Sequence, residues 1–297
     1  MSPLSPLVKD LGGELSGQNR AHIPAPGHSK EDRSVSLLLT QDRRLVIHAF
    51  GNGSDWREIR DTLRERGYIN AQGQLVGEGI SDDYHAPDRS KVEKQATAQR
   101  IWELGRPVAG TLSERHPRLR AITRALTGPD VFRHVQDCPL AIYDNGTRTK
   151  PALVAAIRTP EGDLTAVEIT YLAPNGQRAD QLRIPRKMVG PVPRGSAVRI
   201  DPVADEMLVG EGIFTTLSAS ERFQLPAWAL LSTSIMKNFT PPTSVRSILI
   251  AGDNGEDGRR TANMLGDRLR AANLRVRVEF PPDDCDDFNR LAQNQAA

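Results

Sequence analysis

The chain has 297 residues, 38% of them hydrophobic and 26% charged, which gives room for two or three small domains with their own cores and excludes a disordered chain. Its two cysteines, Cys138 and Cys285, exclude a disulfide framework and a Cys-x-x-Cys metal site and point to a reducing compartment. The net charge of +2 divides as −2 over residues 1–87, +8 over 88–200 and −4 over 201–297, as in a phosphate-backbone binder coupled to a carboxylate metal site; an arginine-rich solvated surface would carry the same charge. No apolar run approaches the ~18 residues of a membrane span, and residues 1–13 lack the order of a signal peptide, so a soluble, cytoplasmic protein is expected.

Residues 1–20 are expected to form a flexible N-terminus, and Pro24, Pro26 and Gly27 keep the next stretch out of helix. Residues 34–39 and 45–50 read as a β-hairpin across the charged turn 40–44. Asp55 is placed to cap a helix in which Trp56, Ile59 and Leu63 recur at helical spacing and which Gly67 closes. Residues 21–70 thus make a small β-rich unit, and residues 71–90, rich in Gly, Ser, Asp and Pro, make a linker. Residues 91–104 read as a helix, and 111–126 hold another, interrupted near Pro117. Strands 152–158 and 166–171 form a hairpin across 159–163, strand 197–200 follows, and residues 91–203 are an α+β unit. From 204 to 297 strand and helix alternate: strands 207–211, 227–231, 247–253 and 275–280, with helices at 215–222, around Met236 and at 258–272. Alternation with short connections predicts a parallel sheet covered by helices, and the fold class is α/β.

Glu211-Gly212 closes one of these strands, and Asp253-Asn254-Gly255-Glu256-Asp257-Gly258 closes another about forty residues on. Carboxylates at the C-terminal edge of parallel strands sit where α/β sheets hold ligands, and hard oxygen donors there favour Mg²⁺ and phosphate chemistry. Gly258-Arg259-Arg260 opens the next helix, where free N–H groups and two guanidinium groups suit a phosphate. In the basic middle, Lys91, Lys94 and Arg100 on one helix and Arg115, Arg118, Arg120 and Arg124 on the next form a strip suited to backbone phosphates. Trp102 and Trp228 occupy apolar contexts and read as core, and the six histidines lack metal-ligand spacing. No Gly-x-x-x-x-Gly-Lys-Ser/Thr occurs, so ATP-driven helicase activity would need a partner chain.

With these residues in place, the C-terminal part resembles a Toprim domain, the metal-binding α/β module of bacterial primases, topoisomerases and some nucleases. Val209-Gly210-Glu211-Gly212-Ile213 with Thr216-Leu217-Ser218 is similar to the glutamate motif of phage- and plasmid-type primase proteins, and Pro281 with Asp287-Phe288-Asn289 to their closing motif. Upstream, Gly110-Thr111, Glu114-Arg115, Arg118 and Pro151-Ala152-Leu153-Val154 resemble the segment those proteins carry between zinc ribbon and Toprim. Residues 21–70 follow the layout of the family's zinc ribbon through Pro24-Ala25-Pro26-Gly27-His28, Asp32-Arg33-Ser34, His48-Ala49-Phe50 and Asp55-Trp56, with the cysteines missing. Of the ligand set only His28 remains, and one histidine cannot close a tetrahedral site, so no Zn²⁺ is expected. The ribbon would then be held by apolar contacts among Val35, Leu37, Val46, Phe50, Trp56 and Ile59.

The resemblance implies a primase-like protein that binds single-stranded DNA and nucleoside triphosphates, uses Mg²⁺ or Mn²⁺ for nucleotidyl transfer in replication of a mobile element or its host, and works beside a separate helicase or replication protein. Glu211 would do acid/base work, and Glu211, Asp253, Asp257 and Asp287 would hold the metal, with Asn289 as a hydrogen-bonding helper. The chain departs from the family's Asp-x-Asp at Gly255, which removes one ligand and leaves Asp257 to compensate. Two other readings stay open: a catalytically silent DNA-binding or scaffold protein, and a Toprim nuclease using the same carboxylates.

Overall fold

The computed structural model describes residues 2–25, 29, 32–50, 56–76, 91–126, 128, 130–143, 146–182 and 184–296. The chain divides into two compact units, Met1–Arg89 and Ser90–Ala297. Among the described residues no helix is long and apolar enough to cross a membrane.

The first unit comprises α1 (Ser5–Asp10), β1 (Glu14–Leu15), β2 (Arg20–Ile23), β3 (Val35–Leu39), β4 (Leu45–Ala49) and α2 (Trp56–Glu65). Its four strands form one antiparallel sheet in sequence order, with Val35↔Ala49 to Leu39↔Leu45 as the register of the expected hairpin. The alternating burial of β3 sends Val35, Leu37 and Leu39 into a core with Ala21, Ile23, Ile59 and Leu63. The first twenty residues are not a loose tail: Leu4, Leu7 and Val8 are buried in that core, which is why the segment is helical where its composition alone gave no pattern. Residues 71–76 do not behave as a linker either. Gly73 accepts from the Leu45 N–H, and the Leu75 N–H donates to Arg43, leaving Leu75 buried.

Half of the expected ribbon core is corrected. Val35, Leu37 and Ile59 are buried, whereas Val46 and Phe50 are 47% and 56% exposed on the sheet face that the helices leave uncovered, and Trp56, at the start of α2, is 43% exposed beneath Arg57 and Arg60. His28, Asp55 and residues 77–90, on which the ligand, cap and linker expectations fall, lie outside the described residues. Flanking residues 26–31, the Asp32 carboxylate accepts from the Ala25 N–H at 3.0 Å, the Ser34 N–H at 3.0 Å and the Ser34 hydroxyl at 2.6 Å. A carboxylate ties this corner. Asp32→Ala should therefore cost about 2 kcal/mol, read as faster hydrogen exchange across β2 and β3, and added Zn²⁺ should leave that exchange unchanged.

The second unit begins with α3 (Lys91–Glu103) and α4 (Leu112–Arg118) and an antiparallel sheet of β5 (Phe132–Pro139), β6 (Thr149–Arg158), β7 (Leu164–Tyr171) and β8 (Arg186–Val189) in that order. Thr111 caps α4 by accepting from the Ser113 N–H, Glu114 reaches back to the Gly110 N–H, and Pro117 shortens the helix to end at Arg118 rather than near 126. The two faces of this sheet differ in partner. Val154, Ala156, Val167, Ile169 and Tyr171 pack on Ala98, Ile101 and Trp102 of α3. Leu153, Ala155, Ile157 and Ala166 pack in a cluster that includes Ile213, Phe214 and Leu217.

Then come β9 (Val198–Arg199), β10 (Glu206–Gly210), α5 (Ile213–Phe223), β11 (Ala227–Ala229), α6 (Thr233–Lys237), β12 (Ser247–Ala251), α7 (Glu256–Ala271), β13 (Arg275–Glu279) and α8 (Phe288–Ala296). The sheet order is β13-β12-β10-β11-β9, parallel throughout except for the antiparallel edge strand β9. Met207, Val209, Ile248 and Ile250 face α6 and α7, while Leu208, Leu249 and Ala251 face α5 and α8. Residues 91–203 and 204–297, expected as two domains, share the cluster joining Ile157 and Ala166 to Phe214 and Leu217. Arg124 also binds the Asp201 carboxylate through both terminal nitrogens, at 3.2 and 2.6 Å.

Candidate active site

Strand β10 has β11 on one side and β12 on the other, and the helices that leave their C-terminal ends go to opposite faces of the sheet, α5 after β10 and α7 after β12. Such a switch point opens a crevice at the strand ends. Gly210 pairs with Ala251, so Glu211 and Asp253 stand on the two lips of that crevice, on adjacent strands. Gly210 is required by packing: a Cβ there would lie 2.6 Å from the Thr216 hydroxyl.

The site is electrostatically coupled. Burial, and then the charges of Glu211 and Asp287, push the Asp253 carboxyl up to about 7, with Arg186 opposing. Burial also raises the Glu211 carboxyl, against a hydrogen bond from the Thr233 N–H and the charges of Arg186 and Lys237. A crevice that makes carboxylates unfavourable in this way is relieved by a bound cation.

The acidic loop after β13 is fastened to this crevice by Asn254, whose side-chain N–H₂ group lies 3.0, 2.9 and 2.7 Å from the carbonyls of Pro281, Pro282 and Cys285. Its backbone N–H donates to Asp286 at 2.8 Å. The loop thereby brings Asp287 within electrostatic reach of Asp253, but Asp287 Oδ1 accepts from the Arg290 N–H and caps α8. Asn289 is fully buried and donates to the Arg120 carbonyl at 2.8 Å and to the Ser218 hydroxyl at 2.9 Å, stitching the closing motif to both halves of the unit.

The expected four-carboxylate cage is not formed. Among the described residues no group of three His, Cys, Asp or Glu side chains could hold an ion. Asp257 is exposed and paired with Arg260 one turn along α7, and the cap at α8 engages Asp287. A smaller donor set does fit Mg²⁺. Asp253 Oδ1 and Asn254 Oδ1 are both buried with no hydrogen-bond partner among the described residues. Mg²⁺ takes one or two carboxylates and leaves its other positions to water and substrate phosphates.

The expected phosphate cradle is also rearranged. Helix α7 starts at Glu256, Gly258 packs against the Asp253 backbone, and Arg259 pairs with Asp283 at 2.8 Å while lying over Phe280. The expected basic strip is not one surface. Lys91, Lys94 and Arg100 ride on α3, which covers the face of the antiparallel sheet turned away from α5. Arg115 and Arg118 are exposed on α4, with Arg118 paired to Glu114. Arg120 and Arg124 lie beyond the helix end. Arg120 stacks 4.8 Å over Phe214, where burial draws its guanidinium down and Asp287 holds it up, and Arg124 is engaged by Asp201. Trp102 and Trp228 are buried, as are both cysteines.

Sequence reasoning missed Arg186, Glu168 and Asn254. Arg186 lies on β8, whose Arg-Lys-Met-Val run has too little apolar alternation to announce a strand, and Asn254 stood beside Asp253 without suggesting its three carbonyl partners.

Residues 92–200 match a family model described as a domain of unknown function, DUF7146, and residues 206–297 match the Toprim domain model. No curated protein matches the chain. Among solved structures, the primase fragment of the bacteriophage T7 primase-helicase protein aligns at 18% identity and a TM-score of 0.40 over 55% of this chain, which spans 63% of that fragment. The zinc-binding and RNA polymerase domains of the Aquifex aeolicus primase align at 13% identity and a TM-score of 0.47, over 99% of this chain and 80% of that one. A DNA primase domain from Pseudomonas aeruginosa aligns at 16% identity and a TM-score of 0.44, over 68% and 75%. The parallel sheet that carries Glu211 and Asp253 at its switch point is, over residues 206–297, a Toprim domain.

Proposed function

We propose that this chain is a primase-like enzyme that carries out Mg²⁺-dependent nucleotidyl transfer on single-stranded DNA, in replication of a mobile element or its host cell. The observation that carries the reading is Asp253, half-buried just beyond the C-terminal end of β12, with a buried, unpartnered carboxylate oxygen and with Glu211 at the end of the neighbouring strand. Asp253 and Asn254 would hold the ion, Mg²⁺ or Mn²⁺, through their unpartnered oxygens, with Glu211 beside them. Bound there, it would neutralise charge on the phosphoryl oxygens of an incoming nucleoside triphosphate.

Glu211 has a second task in this scheme. Burial raises its carboxyl and makes it a better proton acceptor, which suits a base that takes the proton from an attacking hydroxyl. The new O–P bond forms as the bond to pyrophosphate breaks. Arg115 and Arg118 are exposed on α4 and would meet template phosphates, with salt-sensitive and sequence-independent binding. The first unit would serve as a metal-free ribbon, and unwinding would come from a separate helicase in the cytoplasm. A second reading, a silent DNA-binding or scaffold protein, is favoured by the lack of a three-ligand cluster among the described residues and by Gly255.

One assay separates them. Primer synthesis on single-stranded DNA with all four ribonucleotides should require Mg²⁺ or Mn²⁺ and fall by about 10²–10⁴-fold in Glu211→Gln, with DNA binding unchanged. DNA binding that persists in chelator beside a wild type that makes no primer would establish the silent reading. Cleavage of the DNA without nucleotides would establish a nuclease.

A further inference from the structure

Glu168 is a buried carboxylate for which the nucleotidyl-transfer reading has no use. It is 6% exposed on β7, and its Oε1 has no hydrogen-bond partner among the described residues. Its place in the sheet says what it is near. On β7 it stands opposite Ala155 of β6 and Met188 of β8, and two residues on Thr170 stands opposite Leu153 and Arg186. Opposed residues of antiparallel strands share a face, so Glu168, Thr170 and Arg186 share the face of Leu153 and Ala155. That face packs on Ile213, Phe214 and Leu217 of α5, the helix that starts two residues after Glu211.

Glu168 and Arg186 are diagonal neighbours across β7 and β8, a separation a long side chain spans. Arg186 is exposed, and its guanidinium makes no ion pair or hydrogen bond among the described residues. Its charge nevertheless acts on three carboxyls, those of Glu168, Glu211 and Asp253, drawing each of them down against burial. An unengaged guanidinium is thus a diagonal neighbour of an orphaned buried carboxyl, on the sheet face that packs on the helix leaving Glu211.

We propose that Arg186 and Glu168 form a phosphate clamp on the antiparallel-sheet side of the site, Arg186 receiving a phosphate of a nucleoside triphosphate and Glu168 fixing the angle of its guanidinium. A guanidinium presents five N–H donors in a rigid plane, so one edge can meet a carboxylate while the other meets a phosphate. Glu168 is a positioning residue and Arg186 the residue that touches the ligand. The inference rests on the nucleotidyl-transfer reading for its choice of ligand.

The test is calorimetric titration of the full chain with tripolyphosphate and with ATP, each in Mg²⁺, for the wild type, Arg186→Ala, Glu168→Gln, Glu168→Asp and the double variant Arg186→Ala with Glu168→Gln. Arg186→Ala should weaken both ligands by about 10- to 100-fold, as loss of a charged hydrogen-bonding partner does. Glu168→Gln should weaken them by about 5-fold yet melt no lower than the wild type, because it removes a buried charge. Glu168→Asp should recover part of the loss, and Glu168→Gln should add nothing in the Arg186→Ala background. Equal losses in both backgrounds, an unchanged affinity in Glu168→Gln, or no binding of either ligand by the wild type would each overturn the clamp. Primer synthesis is read separately. A wild type that binds tripolyphosphate through this pair but makes no primer keeps the clamp and loses the enzyme; one that makes primers with Glu168→Gln indistinguishable from it does the reverse.

Discussion

At pH 8 and without metal, Asp253→Asn should melt at a higher temperature than the wild type while losing Mg²⁺-dependent primer synthesis. Folding raises the Asp253 carboxyl from 3.8 to about 7 through burial and the charges of Glu211 and Asp287. Between those values the folded state holds a proton that the unfolded chain has released, so stability falls as pH rises through the window. Above pH 7 the full penalty, about 4 kcal/mol, is present, and below pH 4 it vanishes. Asparagine has no such proton. The variant's advantage should therefore be large at pH 8 and absent at pH 4, which thermal melts at the two pH values will read. Mg²⁺ should raise the melting temperature of the wild type and leave that of the variant unchanged, because ligand stabilisation requires binding to the folded state. A variant that melts below the wild type at pH 8 would mean that Asp253 is satisfied by the fold rather than reserved for a ligand.

Gly258→Ala should abolish metal-dependent synthesis without altering any charged group. A Cβ at 258 would lie 2.7 Å from the Asp253 carbonyl oxygen and 3.1 Å from its Cβ, and a backbone atom cannot move aside as a flexible side chain does. The first turn of α7 would lift away from Asp253, at a cost of about 1–3 kcal/mol for the overpacking. In an ordinary helix the same exchange gains about 1 kcal/mol, so the sign of the change decides the matter. Gly255→Ala is the internal control. Gly255 has φ −60° and nothing within 4 Å of where a methyl group would stand, so alanine there should leave both stability and synthesis close to the wild type.

The strands and helices of residues 204–297 were legible because buried parallel strands write themselves as short apolar runs, as in Met207-Leu208-Val209 and Ile248-Leu249-Ile250. Glu211 and Asp253 were legible for the same reason, since each is the first acid after such a run. The rest of the site depends on long-range contacts that no local pattern carries. The charge of Arg186 acts on Asp253 from another sheet, and Asn254 draws in a loop about thirty residues away. Strand β5 was missed because His134, Gln136 and Asp137 interrupt its apolar residues, and α1 because six residues with Pro6 near their start are too few to show a period. Hydrophobicity alone assigns Val46 and Phe50 inward. Only the cross-strand register decides which face of β4 is covered.

The cluster that joins Ile157 and Ala166 to Phe214 and Leu217 crosses the gap between the two family matches, which end at residue 200 and resume at 206. Recombination that exchanged one half for a diverged counterpart would set unmatched side chains against each other in that cluster, and the hybrid would be purged for folding before its chemistry was ever tested. The two segments are therefore bound to be inherited together, and changes at Ile157 or Phe214 in one lineage should be answered across the seam in the same lineage.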